Sequence, residues 1–292
     1  MRPGGGAVSA VPARPDWAAE TRGRVEQALE EAFAALPPTE TARAARYATQ
    51  GGGRRWRGLL TMASGAIFMP EEPARVLPLA AAVEMMHAAS LVLDDLPAMD
   101  DAAVRRGRAC VHRVFPDWVV ALLPAFLVNL AYHVAAGAST APADCRLRAL
   151  CALGEMGARL AHGQELDLAL ARKAATETEL LDCYEKKSGS LFAAALAGGA
   201  LLCGAGDAEA GALAAAGRQL GQAYQILDDL ADGPEETGAH PAAGRSTAYS
   251  LFGPAGARAR ANALLAETAG ALGRFGPAAG PLRDLLERIR GG

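Results

Sequence analysis

Aromatic residues make up only 5% of this 292-residue chain. With so few β-favouring side chains and so much Ala and Leu, the composition leans away from sheet and toward helix. Cysteines are few and odd in number (Cys110, Cys145, Cys151, Cys183, Cys203), with no CxxC pair. That argues against a disulfide framework or a zinc site and fits a reducing, cytoplasmic setting. A surplus of positive charge is missing as well, the formal net charge being −3. The concentrated basic character of a nucleic-acid binder is therefore not expected. Residues 1–15 lack the apolar core of a signal peptide and read as a flexible tail ahead of a domain over 16–292.

Long apolar runs, by contrast, are present. Val76–Leu93 and Trp118–Ala136 are each about long enough to cross a bilayer. The first carries Pro78, Glu84 and His87, and the second Pro124, Asn129 and His133. A helix apolar on all sides also suits the centre of a large bundle, so no integral membrane segment is expected. Helical periodicity covers 16–36, about 39–50, and then 57–69, 74–96, 117–137, 143–172, 176–203, 207–231, 246–252 and 255–290. Alternation of period two is nowhere sustained. The pattern predicts an all-α, single-domain bundle of about ten or more helices, several of them buried on every side.

Two apolar runs end in acid. "LDDLPAMDD" (93–101) brings Asp94, Asp95, Asp100 and Asp101 together after one of them. Pro97 stops the helix there, and carboxylates at a helix C-terminus oppose its dipole. "QAYQILDDLAD" places Asp228, Asp229 and Asp232 after another, with Asp228 and Asp232 on one helix face. A solvated acidic surface explains either cluster alone. Two of them, about 130 residues apart and each closing an apolar helix, call for a shared cation. Hard oxygen ligands without His or Cys select Mg²⁺ or Mn²⁺ over zinc. Such ions complete their shells with water and phosphate, so a bound diphosphate is the expected companion.

Fixed positive charge lies close by. Arg105, Arg106 and Arg108 follow the first acidic cluster, and Arg54, Arg55 and Arg57 follow three glycines. Lys186, Lys187 and Arg245 are further candidates. Guanidinium forks suit phosphate oxygens. "GAHPAAGRST" is not a nucleotide-binding P-loop: its spacing is wrong, Arg stands where Lys is needed, and it follows a helix. Gln164 and Asp167 in "GQELD" read equally as a hydrogen-bonded core pair or as site residues.

These motifs together resemble the trans-isoprenyl diphosphate synthases (polyprenyl synthetases), from about Tyr47 to the C-terminus. "DDLPAMD" is similar to that family's first aspartate-rich motif and "DDLAD" to its second. "GGRRWRG" stands in the place of GGKRLRP and "KKSG" in that of KTG. The segments around the aspartates are most similar to bacterial geranylgeranyl diphosphate synthases. The resemblance implies a deep central cavity, a homodimer, and Mg²⁺ bridging both motifs and an allylic prenyl diphosphate. It implies Asp94, Asp100 and Asp228 as principal metal ligands, with Asp95, Asp229 and Asp232 supporting or completing the sites. Arg105, Lys187, Ser188 and Gln225 would hold the allylic substrate. Arg54, Arg57, His87 and Arg106 would hold isopentenyl diphosphate. Residues N-terminal to Asp94 would line the growing tail: Ala89 and Ser90 one turn away, where shorter-product enzymes often carry an aromatic, and Met86 two turns away as a floor. A twenty-carbon product is expected on that reasoning. The sequence departs from the family at Arg54, Gly58, Pro124-Ala125, Ala239 and Arg245. Two rivals to the synthase reading are a poorly active partner subunit and a terpene cyclase; retention of Arg54, Arg57 and His87 favours two-substrate condensation.

Overall fold

The computed structural model describes residues 16–137, 140–171, 173–232 and 246–291. The expected N-terminal tail, Ala239 and Arg245 lie outside the described residues. Helix follows helix in the order α1 (Trp17–Ala34), α2 (Glu40–Thr49), α3 (Trp56–Phe68) and α4 (Leu77–Asp94). A two-stranded antiparallel ribbon comes next, β1 (Val104–Arg105) and β2 (Arg108–Ala109), with Val104 opposite Ala109. The chain continues through α5 (Val111–Val114), α6 (Asp117–Gly137), α7 (Ala143–Leu170) and α8 (Glu177–Tyr184). It then passes a π turn (Glu185–Gly189) into α9 (Ser190–Leu202), α10 (Asp207–Ala231), α11 (Ala248–Ala271) and α12 (Gly280–Gly291). The fold is all-α, as the periodicity predicts.

Helix starts are written in the sequence. The Asp16 side chain accepts the Ala18 N–H, Thr39 accepts that of Ala42, and Thr176 with Glu179 closes a capping box on α8. The start of α3 has no such cap. Arg55, at its entrance, is left-handed (φ 54°), and the Gly58 N–H is instead satisfied by Glu84 of α4 at 2.8 Å.

At the centre lies α9, buried at every residue from Ser190 to Leu202. It packs against α3, α7 and α10, while α4 lies between α3 and α6, and α11 covers α10. Ala and Gly on these helices permit unusually close approach. A Cβ on Gly217 would sit 2.6 Å from the Ala193 backbone, and one on Gly221 2.3 Å from Gly189 Cα. The expected helix over 176–203 is therefore interrupted where α7 and α10 press on it. A Cβ on Gly163 would lie 2.2 Å from the Lys187 nitrogen, and the backbone widens there into the π turn. Apolar length alone would let α4 and α6 cross a membrane. In the fold α4 is a core helix, whereas α6 buries one face and presents Trp118 and Leu122 outward, at 57% and 54% exposure.

Candidate active site

The ends of α4 and α10 open on one chamber of about 660 Å³. Pro97 prevents α4 from continuing, and the chain folds back so that the Asp100 N–H donates to the Asp94 carbonyl at 3.0 Å. That turn sets Asp100 beside Asp94. Both line the chamber, together with Asp228, Asp229 and Asp232 from the end of α10. Asp95 is placed differently. Successive helix residues point about 100° apart, and Asp95 turns into the protein, buried and held by Arg105 through its Nε at 2.8 Å and Nη2 at 2.7 Å. Asp101 turns outward to Arg113, at 2.9 Å.

Electrostatics mark the first aspartate of each motif. Burial raises the Asp94 pKa, against the pull of Lys187 and with the repulsion of Asp100. Burial, then the Asp232 and Asp229 charges, push Asp228 up to about 6. These are carboxylates whose surroundings lack sufficient positive charge. Among the described residues no three acidic, His or Cys side chains form a ready-made metal cage. That donor set fits magnesium, which takes one or two carboxylates and draws its remaining ligands from water and phosphate.

Cations face the acids. The π turn sends Lys186 outward to Asp182 and Lys187 into the chamber, where Nζ meets Asp167 at 2.7 Å. Asp167 is thus a site neighbour through Lys187, and Gln164 lines the same chamber with both its amide atoms lacking a protein partner. Ser188 donates to Gln225 at 2.6 Å. Arg105 also lines this wall, its guanidinium partly desolvated but kept firmly charged by Asp95.

A second chamber, of about 480 Å³, adjoins the first; Arg57, His87, Arg106, Tyr224 and Asp228 line both. Arg54 and Arg55 complete its basic wall. Arg57 is half-buried, and desolvation lowers its pKa; its guanidinium lies 4.7 Å above the Phe192 ring. Arg106 donates to the Gly52 carbonyl at 2.8 Å. Burial, reinforced by Arg57 and Arg106, holds His87 well below the usual imidazole range, so the ring is neutral at pH 7. Arg55 faces Glu84 and Glu26 at 3.6 Å each and ties the glycine-rich entrance to α4 and α1.

Below the acids the first chamber is lined by Ser90, Leu91, Leu160 and Leu191. Ala89 lies buried behind this wall. Met86 lies one turn deeper; its terminal methyl is 3.1 Å from where a side chain on Gly157 would begin. The sequence reading had not singled out Tyr224, Tyr184 or Glu84. Tyr224 sits four residues before Asp228, on the same helical face, which was the available signal.

The arrangement is that of a helical protein with an acidic and a basic chamber side by side, the acidic one above a hydrocarbon wall. The Polyprenyl synthetase family profile matches residues 38–240, and the chain belongs to that family, whose members are prenyltransferases. A "Probable farnesyl diphosphate synthase" of Sinorhizobium fredii is 36% identical over 93% of this chain and 86% of its own. A "Geranylgeranyl diphosphate synthase" of Pantoea ananas is 38% identical over 61% of each chain. Among solved structures, an apo FPP/GFPP synthase from Zymomonas mobilis superposes with a TM-score of 0.81 at 31% identity, covering 94% of this chain and 99% of that one.

Proposed function

We propose that this trans-prenyl diphosphate synthase condenses isopentenyl diphosphate with an allylic prenyl diphosphate and stops at twenty carbons. The observation that carries the reading is the pair of adjoining chambers. One is acidic with a hydrocarbon slot beneath it, the other is basic, and His87, Arg57 and Tyr224 stand between. A terpene cyclase acts on one substrate and has no use for the second, arginine-walled chamber. A purely accessory subunit has no use for the acidic set.

In this reading Asp94, Asp100 and Asp228 would hold magnesium with the allylic diphosphate, and Asp232 would complete the set at the rim. When bound, magnesium would supply Lewis-acid stabilisation of the departing diphosphate. Lys187, Arg105 and Ser188 with Gln225 orient that group and neutralise the charge it gains as the C1–O bond breaks. The other chamber, through Arg54, Arg57 and Arg106, holds isopentenyl diphosphate with its double bond facing the allylic C1. A new C–C bond forms, and the proton lost from the adjacent carbon passes to the released diphosphate. Leu91, Leu160 and Leu191 keep water from the cationic carbon.

Product length rests on the slot. No aromatic stands at Ala89 or Ser90, and Met86 lies about 12 Å along α4 from Asp94, with its terminal methyl beside Gly157. The small residues at those two positions support a primer extended past fifteen carbons. Incubating the protein with Mg²⁺, isopentenyl diphosphate and dimethylallyl, geranyl or farnesyl diphosphate in turn, then sizing the products, tests both parts. A fifteen-carbon end product overturns the length assignment; no condensation with any primer overturns the activity. The outward face of α6 supports assembly as a homodimer, and a cytoplasmic location remains part of the same proposal.

A further inference from the structure

Asp229, the second aspartate of "DDLAD", has both carboxylate oxygens engaged by protein groups. Its Oδ2 accepts hydrogen bonds from the Tyr184 hydroxyl and from the Ala248 N–H, the latter at 2.8 Å. The same N–H lies 3.1 Å from the Tyr184 oxygen. The other oxygen, Oδ1, accepts from Gln225 Nε2 at 3.2 Å, and Gln225 in turn accepts from Ser188 at 2.6 Å. Tyr184 and Ser188 are four residues apart across the π turn, and Gln225 and Asp229 are four apart on α10. The four side chains form a rectangle, three of its sides hydrogen bonds and the fourth the backbone of the π turn. Ala248, at the first turn of α11, fastens the returning chain to one corner.

Its location gives the rectangle a consequence. Lys187 lies inside it in sequence, and Asp228 adjoins Asp229. Beyond Ala248, Thr247 and Tyr249 line the rim of the acidic chamber. The Tyr184 ring is buried, beneath the chamber wall and away from its lining. Burial and the Asp229 charge raise its pKa, so it stays protonated and can donate.

We propose that Tyr184 is a positioning residue for the metal–diphosphate site: its hydroxyl holds Asp229 away from the cation, so that Asp228 alone of the pair presents to it, and anchors the start of α11 at the chamber rim. The inference rests on the synthase reading for its ligand, and on the hydrogen-bond geometry for its mechanism. Two opposed requirements meet at Asp229. A carboxylate released from Tyr184 is a competing ligand next to Asp228, and an Ala248 N–H without its acceptor lets the α11 start drift.

Tyr184→Phe removes one oxygen and keeps the ring. Titration calorimetry with Mg²⁺ and inorganic diphosphate should then show roughly tenfold weaker binding, the scale of a lost hydrogen bond to a charged group. Amide exchange at Ala248 should accelerate while the centre of α9 stays protected. In steady state the KM for the allylic primer should rise and that for isopentenyl diphosphate should hold within about twofold. Unchanged Ala248 exchange together with unchanged Mg²⁺–diphosphate affinity overturns the proposal. A uniform rise in both KM values with a lowered Tm also overturns it, in favour of a packing role. If the wild-type protein condenses no primer, the synthase reading fails separately, and the calorimetry and exchange still decide the role of Tyr184.

Discussion

Gly58 and Glu84 meet across the α3–α4 interface, the Gly58 N–H donating to Glu84 Oε1 at 2.8 Å, while Oε2 faces Arg55 at 3.6 Å. One buried carboxylate thereby caps the helix that carries Arg57 and neutralises the arginine at its entrance. Proline, usual in the family at Gly58, has no N–H to give. A Cβ there would also lie 2.9 Å from Val25.

Removing that carboxylate should be costly to the fold. Glu84→Ala leaves the buried Arg55 with only Glu26 and the Thr49 carbonyl and uncaps a helix N-terminus, and should lower stability by roughly 3 kcal/mol. Glu84→Gln keeps the acceptor and should lose less. Urea denaturation measures both; equal, small losses would refute this account of the α3 entrance.

Lys187 is the one lysine of "KKSG" that enters the chamber. Lys187→Ala should cut kcat/KM for the allylic substrate by roughly a hundredfold or more, on the scale of removing one fixed donor to a developing charge. Lys186→Ala, whose partner is Asp182, should leave activity near wild type. Reversed effects of the two variants would mean that the π turn faces the other way.

In the metal-free protein, pH should act through Asp228. Its carboxyl holds a proton more tightly folded, with a pKa of about 6, than at the ordinary 3.8. The stabilisation from that preference is complete below about 3.8 and is lost as pH rises through about 6. The Tm of the wild type in EDTA, measured against Asp228→Asn, should therefore fall across that window. Magnesium with diphosphate should restore it above the window. A wild-type-minus-variant difference that stays flat with pH is the contrary result.

Product length should move in opposite directions at two depths. Ala89→Tyr puts a ring one turn from Asp94 and should shorten the product to fifteen carbons. Met86→Ala removes the side chain lying over Gly157 and should admit products beyond twenty. Chromatography of the dephosphorylated alcohols reads both, and unchanged distributions would show that the ruler lies elsewhere.

The outward face of α6 supplies a test of assembly. Trp118 and Leu122 are one turn apart, and both are more than half exposed. Leu122→Glu should convert a homodimer to monomer in sedimentation velocity. A wild-type protein already monomeric at micromolar concentration would remove the basis for the dimer.

Helices and chambers were legible in the sequence to different degrees. Apolar periodicity with punctuation at Pro37-Pro38, Gly51–Gly53 and Pro97 located the helices, because those residues act locally. The spacing of Asp228 and Asp232 gave their shared face, because helix geometry is local too. The resemblance set Asp94 apart from Asp95, but what turns Asp95 inward was not legible. It depends on Arg105, which comes back through a ribbon too short to leave an alternating pattern. The π turn was hidden for a similar reason: Gly163 and Gly221 lie on other helices, and only their approach opens the backbone around Lys187. Tyr184 gave no signal, since an isolated tyrosine at a helix end is ordinary until Asp229 and Ala248 are seen beside it.

Where Gly189 meets Gly221 and Ala193 meets Gly217, main chain rests on main chain. The gap between Lys187 on one helix and Asp228 on the next is thus gauged by peptide planes, which no lining substitution can thicken or thin. Hydrocarbon-lining positions such as Ser90 and Leu91 lie on α4, outside that contact. Selection, natural or in the laboratory, can then recut the depth of the slot many times over while the aperture that grips the phosphates keeps one width.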